Sequence, residues 1–376
     1  MMKNQIKFIL ALLILVSVYS CSSDFEEVDI ASPEPQGQEM DGIQVLEYTN
    51  TTTKGFRLGN SSTTFLSFPN LNAFKRTITL LEARAEYHDD QFIAAHANLS
   101  NDELSNLEYQ TGFNPYEPLE RFGSSYNFED SMLKDYITAE KNWLGQQILD
   151  INNDPDNFFY NLEEEELAVL NKDGVVKIGA SIFKMIDGGY IEITDGNLQT
   201  LARFNEYRIN DCDEILSINE YPNVNVVSSC NGGGGGGDNS SDCNSSGRSQ
   251  DHWVLDGDRM IKGKVALVDS PNLWGRKIKS KTKYFKQGFL GIWYRCRSNL
   301  VAALDGKYDT EGSNCGDFAL TFDEKIHRQR ESHRSKAKFR ILINSNLNLQ
   351  ELKIKSGKVK GFHYQNSNLR NVSLTF

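Results

Sequence analysis

The sequence predicts an α+β fold: an N-terminal region of mixed helix and strand, followed by a mainly antiparallel, sandwich-like β region. Three observations carry that prediction. Apolar residues recur at three- and four-residue spacing in the first part, short β-favouring runs fill the last part, and a glycine tract with a reversal of charge lies between them. The 376 residues carry a formal charge of −11, but that figure averages two unlike regions. Residues 251–376 hold 24 Lys and Arg against 12 Asp and Glu, and the remainder of the chain holds 16 against 39. A hydrophobic content of 39% with 11% aromatics is enough for packed cores. A mean hydropathy of −0.49 excludes a chain built of many membrane-spanning helices.

Taken in order, residues 63–68 read as a short apolar strand ending at Pro69. Phe74, Ile78, Leu81 and Ala85 place one apolar face on a helix over residues 70–85. Ser100 with Glu103 three residues on forms a capping box, and that helix is predicted to end before Gly112. Met132, Tyr136, Trp143 and Leu144 mark a third helix over residues 131–148, and a short helix over 162–170 carries the run Glu163, Glu164, Glu165, Glu166. That run reads as a solvated helix start. Strands follow at 175–179, 182–185 and 189–193, with Asp173-Gly174 and Asp187-Gly188-Gly189 as turns. Six consecutive glycines at 232–237, set among Ser, Asn and Asp, cannot form a packed element and read as a linker or long loop. Short strands are predicted at 264–268, 279–285, 290–295, 317–322, 338–343 and 361–364.

The N-terminus gives an address. Lys3 and Lys7 precede an apolar run over 8–18, too short to span a bilayer and suited to the core of a secretory signal. The run ends in Val18-Tyr19-Ser20-Cys21, which resembles a bacterial lipobox. The resemblance implies cleavage before Cys21 and acylation of that cysteine, with several acyl chains forming a stable anchor. Ser23, Asp24, Phe25, Glu26 and Glu27 then resemble the acidic surface-export signal of lipoproteins in Bacteroidetes, flavobacteria above all. The expected organisation is a signal peptide at 1–20, a flexible acidic tether at 21–44, an acidic α+β domain at 45–210, a Gly/Ser/Asn-rich linker at 211–250 and a basic β domain at 251–376. The segments LSNDELSNLEYQTGF (99–113) and LAVLNKDGVVKIGASIFKM (167–185) resemble a group of uncharacterised Bacteroidetes lipoproteins. That resemblance implies an outer-membrane, surface-facing location, and it brings no catalytic residues with it.

Candidate chemistry is sparse. Lys279, Lys281 and Lys283 alternate, so they share one face of a strand, and Trp293, Arg295 and Arg297 follow closely. Such a face suits an anionic partner, lipopolysaccharide or an acidic glycan, unless it serves the acidic half of the same chain. No nucleic-acid partner is expected, because no recognition motif accompanies the charge. After Cys21, five thiols remain. The pairs Cys230–Cys243 and Cys296–Cys315 are favoured, with Cys212–Cys230 as an alternative. Asp130-Ser131-Met132 resembles the Bacteroidetes O-glycosylation signal, although Ser131 also suits a helix N-cap. Neither the six histidines nor the acidic stretch 150–157 has a recognised metal-ligand spacing, so no metal, cofactor or catalytic set is assigned.

The expectation is a lipid-anchored outer-membrane protein with a non-catalytic binding or structural role toward an anionic glycan or envelope partner. The alternatives are a glycan-acting enzyme and a subunit of an envelope assembly. A cleft holding two close, desolvated carboxylates would favour the enzyme, and an exposed apolar patch the assembly.

Overall fold

Strand β1 (Gln44–Thr52) pairs antiparallel with β2 (Gly59–Phe68), opening a six-stranded sheet in the order β1-β2-β3-β4-β5-β6. Its other members are β3 (Val175–Ile178), β4 (Ser181–Ile186), β5 (Gly189–Ile193) and β6 (Val224–Ser228). The β2–β3 pairing is parallel, which requires a crossover, and the helices supply it. They are α1 (Leu71–Ala95), α2 (Asn101–Thr111), α3 (Glu117–Ser125), α4 (Met132–Leu144) and the single turn α5 (Glu164–Leu167), with 3-10 turns at Ile151–Asn153 and Pro155–Asn157. Between β5 and β6 lies α6 (Leu198–Phe204). The computed structural model describes residues 42–52, 59–186, 189–204, 218, 221–228, 247–255, 257–270, 273–288, 290–311, 318–322, 327–329, 333–343, 353–366 and 368–375.

Local chemistry sets the helix ends. Asn70 accepts a hydrogen bond from the Ala73 N–H at 2.9 Å. Ser100 and Glu103 form the reciprocal capping box, and Gly112 closes α2 at φ +68°, where a side chain would be strained. The Asp173-Gly174 turn is held by Asn171, whose Oδ1 accepts from the Asp173 and Val175 N–H groups.

The later strands form two further five-stranded sheets. One has the order β10-β9-β8-β7, with β14 also on β9; the other has β12-β11-β15-β16, with β13 also on β11. Their spans are β7 (Gly247–Val254), β8 (Arg259–Ser270), β9 (Gly275–Gln287), β10 (Trp293–Arg295), β11 (Leu300–Glu311), β12 (Phe318–Phe322), β13 (His327–Gln329), β14 (Lys336–Ile343), β15 (Lys353–Gln365) and β16 (Asn368–Thr375). All pairings in both sheets are antiparallel. They pack as a sandwich, with Val265, Leu267 and Ile278 of the first against Leu304, Val359, Val372 and Leu374 of the second. The chain is α+β, with mixed helix and strand first and antiparallel sheets after.

Several boundaries differ from expectation. β6 and the first residues of β7 occupy part of the predicted linker at 211–250, because alternating valines at 224–227 outweigh the surrounding polar composition. β11 is absent from the predicted strands, and β15 begins at Lys353, well before the predicted strand at 361–364. Of the 290–295 segment, only Trp293–Arg295 is strand; the residues before it turn. All described residues fall within one compact unit, Glu39–Phe376. Cys21, Ser23, Asp24, Phe25, Glu26 and Glu27 lie outside the described residues, as do Cys212, Cys230, Cys243, Cys315 and the glycine tract. Among the described residues, no helix is long and apolar enough to cross a membrane.

His363 sits fully buried in the sandwich. Its ring lies so close to Gly263 and Gly361 that a Cβ at either position would collide with it. Thr282 donates its hydroxyl to the Val301 carbonyl at 2.8 Å and therefore accepts from His363 Nδ1 at 2.9 Å. Burial drives the imidazole down to about 3 from its ordinary 6.5. The unfolded chain thus takes up this proton before the folded one, so stability is full above pH 6.5 and lost as pH falls toward 3. Urea unfolding at pH 7 and pH 4 should show His363→Gln losing about 3 kcal/mol less than the parent over that interval. Equal losses in both proteins would contradict this assignment.

Candidate functional site

The outer face of the sheet containing β7, β8, β9 and β14 is a lattice of cations. Alternation puts Lys262 and Lys264 of β8, Lys277, Lys279, Lys281 and Lys283 of β9, and Lys336, Lys338 and Arg340 of β14 on that face. Register aligns them in rows. His252, Lys262, Lys283 and Lys336 form one row across four strands, and Gln250, Lys264, Lys281 and Lys338 form the next. Every β8 and β9 lysine of the lattice is buried.

The helical layer lays carboxylates over this face. Lys262 contacts Asp154 at 2.6 Å and also Asp156, while His252 Nε2 lies 2.7 Å from the other Asp154 oxygen. Lys277 pairs with Glu166. Lys279 reaches Glu163 at 2.6 Å, and Lys281 reaches Glu163 at 2.8 Å and Glu164 at 3.3 Å. Lys283 lies 3.2 Å from Glu140 and 3.3 Å from Asp156. Lys336 holds Glu164 at 2.9 Å, and Lys338 bridges Glu165 and Glu82.

Mutual charge, in a site shut off from water, sets the protonation states. Burial pushes the Glu140 carboxyl up, but Arg295 and Lys283 outweigh it and hold it at about 2. Burial likewise opposes ionisation of Asp156, Glu163 and Glu164, yet the facing lysines hold all three well below the usual carboxylate range. Lys281 goes the other way from most buried amines: burial lowers it, and Glu163 with Glu164 raises it well above the usual value. For Glu165 burial wins over Lys338, helped by Glu82 and Glu163, and its carboxyl is raised.

The candidate anionic-partner face of Lys279, Lys281, Lys283, Trp293, Arg295 and Arg297 is therefore corrected in one respect. The alternating lysines do share a face, but the chain's own carboxylates cover it and all three lysines are buried. Arg295 holds Glu140 at 2.7 Å and also contacts Tyr116. Arg297 is buried between Asp89 and Glu108, at 2.7 Å from each. Trp293 packs with Trp143, Leu144, Met260 and Phe285. The Glu163–Glu166 run, expected in solvent, is buried. Cys296 is a buried thiol 3.2 Å from the Ser105 hydroxyl, and its expected partner Cys315 lies outside the described residues. Burial pushes that thiol up. Ser131 is the N-cap of α4 and accepts from the Lys134 N–H. Lys262, Lys264, Lys336 and Lys338 escaped sequence reasoning, although they alternate just as 279–283 do.

Two exposed features remain. A cleft of about 80 Å³ opens onto the lattice between α1, α5 and β14, lined by Glu82, Glu165, Tyr116, Arg334, Lys336 and Lys338 among others. At one end of β9, the turn Gly288–Ile292 carries Leu290 at 72% exposure and Ile292 at 45%. Gln287 ties this turn to the Gln147 carbonyl at 3.0 Å, beside Ile148 at 85% exposure. The ring of Tyr109, 75% exposed, lies tilted at 5.7 Å from that of Tyr294 on the adjoining strand. Among the described residues, no group of three His, Cys, Asp or Glu is arranged to hold a metal.

Comparison with protein-family models and with curated proteins gave no match. Among solved structures, the chain is similar to a DUF4848 family protein from Bacteroides thetaiotaomicron, at 11% identity and a TM-score of 0.20, over 88% of this chain and 100% of that one.

Removing one partner from a buried ion pair costs about 3–5 kcal/mol, because the other charge is stranded. Lys281→Met takes one of two cations from each of Glu163 and Glu164, leaving the first to Lys279 and the second to Lys336, and should destabilise by up to that amount in urea unfolding. Because the pairs are buried, 1 M salt should change the parent's stability far less than the substitution does. A loss under about 1 kcal/mol, the range of surface pairs, would show that the lattice is solvated.

Proposed function

We propose that this chain is a lipid-anchored outer-membrane protein with a non-catalytic role, facing the cell surface and docking an envelope protein through an apolar tip. The observation that carries the docking role is the tip: Tyr109, Ile148, Leu290 and Ile292 stand exposed around one turn, while the sheet's cations are engaged internally. Apolar side chains gathered on an exposed surface mark a contact for a partner with a matching apolar hollow. The anchor rests on Cys21 and its lipobox setting, and the surface orientation on Asp24, Glu26 and Glu27.

The test uses intact cells. The parent should be membrane-bound and open to an impermeant protease. Cys21→Ala should lose the membrane, and Asp24/Glu26/Glu27→Ala should keep the membrane but become protected. Protection of the parent itself would place the protein on the periplasmic side. A photo-crosslinking residue at position 290 should give discrete protein adducts. Adducts with lipid alone, or none, would remove the docking role.

A second reading, a glycan-acting enzyme, is favoured by one observation. Glu82 and Glu165 line the cleft, contact the same Lys338 ammonium and are shifted oppositely. Burial opposes ionisation of Glu82, but Lys338 and Arg340 hold it down, whereas Glu165 is raised. A carboxylate pair with divided values suits an acid and its charged partner. If this reading holds, glycoside hydrolysis over a panel of envelope and extracellular glycans should drop at least about 100-fold in Glu165→Gln. Hydrolysis unchanged by that substitution, or none by the parent, would eliminate it.

A further inference from the structure

One lysine of the lattice breaks its rule. Lys262, Lys277, Lys279, Lys281 and Lys283 each meet at least one carboxylate. Lys264, only 6% exposed, meets none among the described residues. Its Nζ donates to the main-chain carbonyl of Asp156 at 2.9 Å. The Asp156 carboxylate is taken by Lys262, Lys283 and Tyr136. On the same sheet face, Lys262 neighbours Lys264 along β8, Lys281 stands directly across on β9, and Lys279 is diagonal to it. A fourth ammonium amid three others, without a carboxylate of its own, is costly in a site closed to water. Shedding its proton relieves that cost, and burial indeed holds Lys264 well below the usual lysine range.

A second observation points to a ligand. Across β7, the residue directly opposite Lys264 is Gln250. Its Nε2 donates to Asn157 at 2.9 Å, but its Oε1 is buried without a hydrogen-bond partner. An acceptor without a partner therefore lies at the register position opposite an amine that meets no carboxylate among the described residues, and Lys262, Lys279 and Lys281 share the sheet face around that amine. What this place lacks is an N–H donor toward Gln250 and an anion toward Lys264.

We propose that Lys264 is a modification site, its Nζ capturing carbon dioxide as a carbamate. The nitrogen lone pair attacks the carbon of CO₂ and forms an N–C bond. One C=O π pair moves onto oxygen, and the proton leaves the nitrogen for solvent. No oxidant or reductant takes part. CO₂ suits the place because it is small and enters without carrying charge. The product bears one negative charge, which Lys262, Lys279 and Lys281 meet, and its remaining N–H faces Gln250 Oε1. The lattice then gains the carboxylate that Lys264 lacks. This inference stands apart from the anchor, the tip and the cleft.

The experiment treats the folded full chain with ¹³C-bicarbonate in equilibrium with CO₂, traps carbamates with a trialkyloxonium alkylating agent and maps the peptides by mass. Each pKa unit lost multiplies the free amine about tenfold at fixed pH, so the trapped carbamate at Lys264 should exceed that at any other lysine at least about tenfold. It should vanish when the chain is unfolded in urea before trapping. Lys264→Met should lose the ¹³C carbamate resonance while remaining folded by circular dichroism. The mapping on the parent decides the matter even if that variant does not fold. No carbamate at Lys264, or label spread evenly over exposed lysines, overturns the proposal.

Discussion

Desolvation of charge governs this molecule. An ammonium or carboxylate taken from water costs several kcal/mol unless an opposite charge and good hydrogen bonds meet it. Here nine cations of three strands face one layer, and the layer opposite answers with Glu82, Glu140, Asp154, Asp156 and the Glu163–Glu166 run. The arrangement fixes register more firmly than hydrophobic patterning alone. Side chains alternate with period two, so slipping β9 by one residue would drive four lysines into the sandwich core and turn Ile278 and Tyr284 outward. Such pairs rarely add net stability over apolar residues of the same size. Their effect here is to make alternative pairings much worse than the native one.

Apolar plugs close the layer at both ends. On β8 the layer-facing positions read Met260, Lys262, Lys264, Ala266, Val268, with apolar residues flanking the lysines. Val268 joins Leu273, Trp274 and Phe74 in the core beneath the first sheet. Met260 and Phe285 join Trp143, Leu144 and Trp293 at the opposite end. Water kept out by these plugs cannot screen the pairs between them, which strengthens both the attractions and the cost of any unpaired charge.

The amount legible in the sequence follows from the range of each interaction. Local chemistry could be read directly: the Ser100–Glu103 box, Gly112 at the end of α2, the Asp173-Gly174 turn and the shared face of Lys279, Lys281 and Lys283. What those lysines face could not, because Glu164 lies 117 residues from Lys281. A run of four glutamates is solvated in most chains, and nothing nearby signals that Glu163–Glu166 is buried. The one global sign was the division of charge, 24 against 12 in the last part and 16 against 39 elsewhere. Opposite surpluses in two halves of one chain are what an internal ionic interface requires, although they serve an external partner equally well. The alternation in β8 and β14 carried the same signal as β9, diluted by Gly263, Ala266 and Phe339.

Saturating the cations changes where recognition can occur. A sheet whose lysines, Lys264 apart, are already paired offers little electrostatic attraction to an acidic ligand, since almost every new contact must first break a buried one. Binding energy must then come from surface that is not already satisfied. The turn at Gly288–Ile292 is such a surface, and its position matters. It continues outward from Trp293, whose indole N–H donates to the Gln147 carbonyl at 3.4 Å and whose ring seals one end of the ionic layer. The apolar plug and the exposed tip are thus one structure seen from inside and outside. A partner seated on Leu290 and Ile292 would extend the plug and further exclude water from Glu140 and Lys283 just behind it. A contact at the tip would in this way act on Glu140 and Lys283 through the plug.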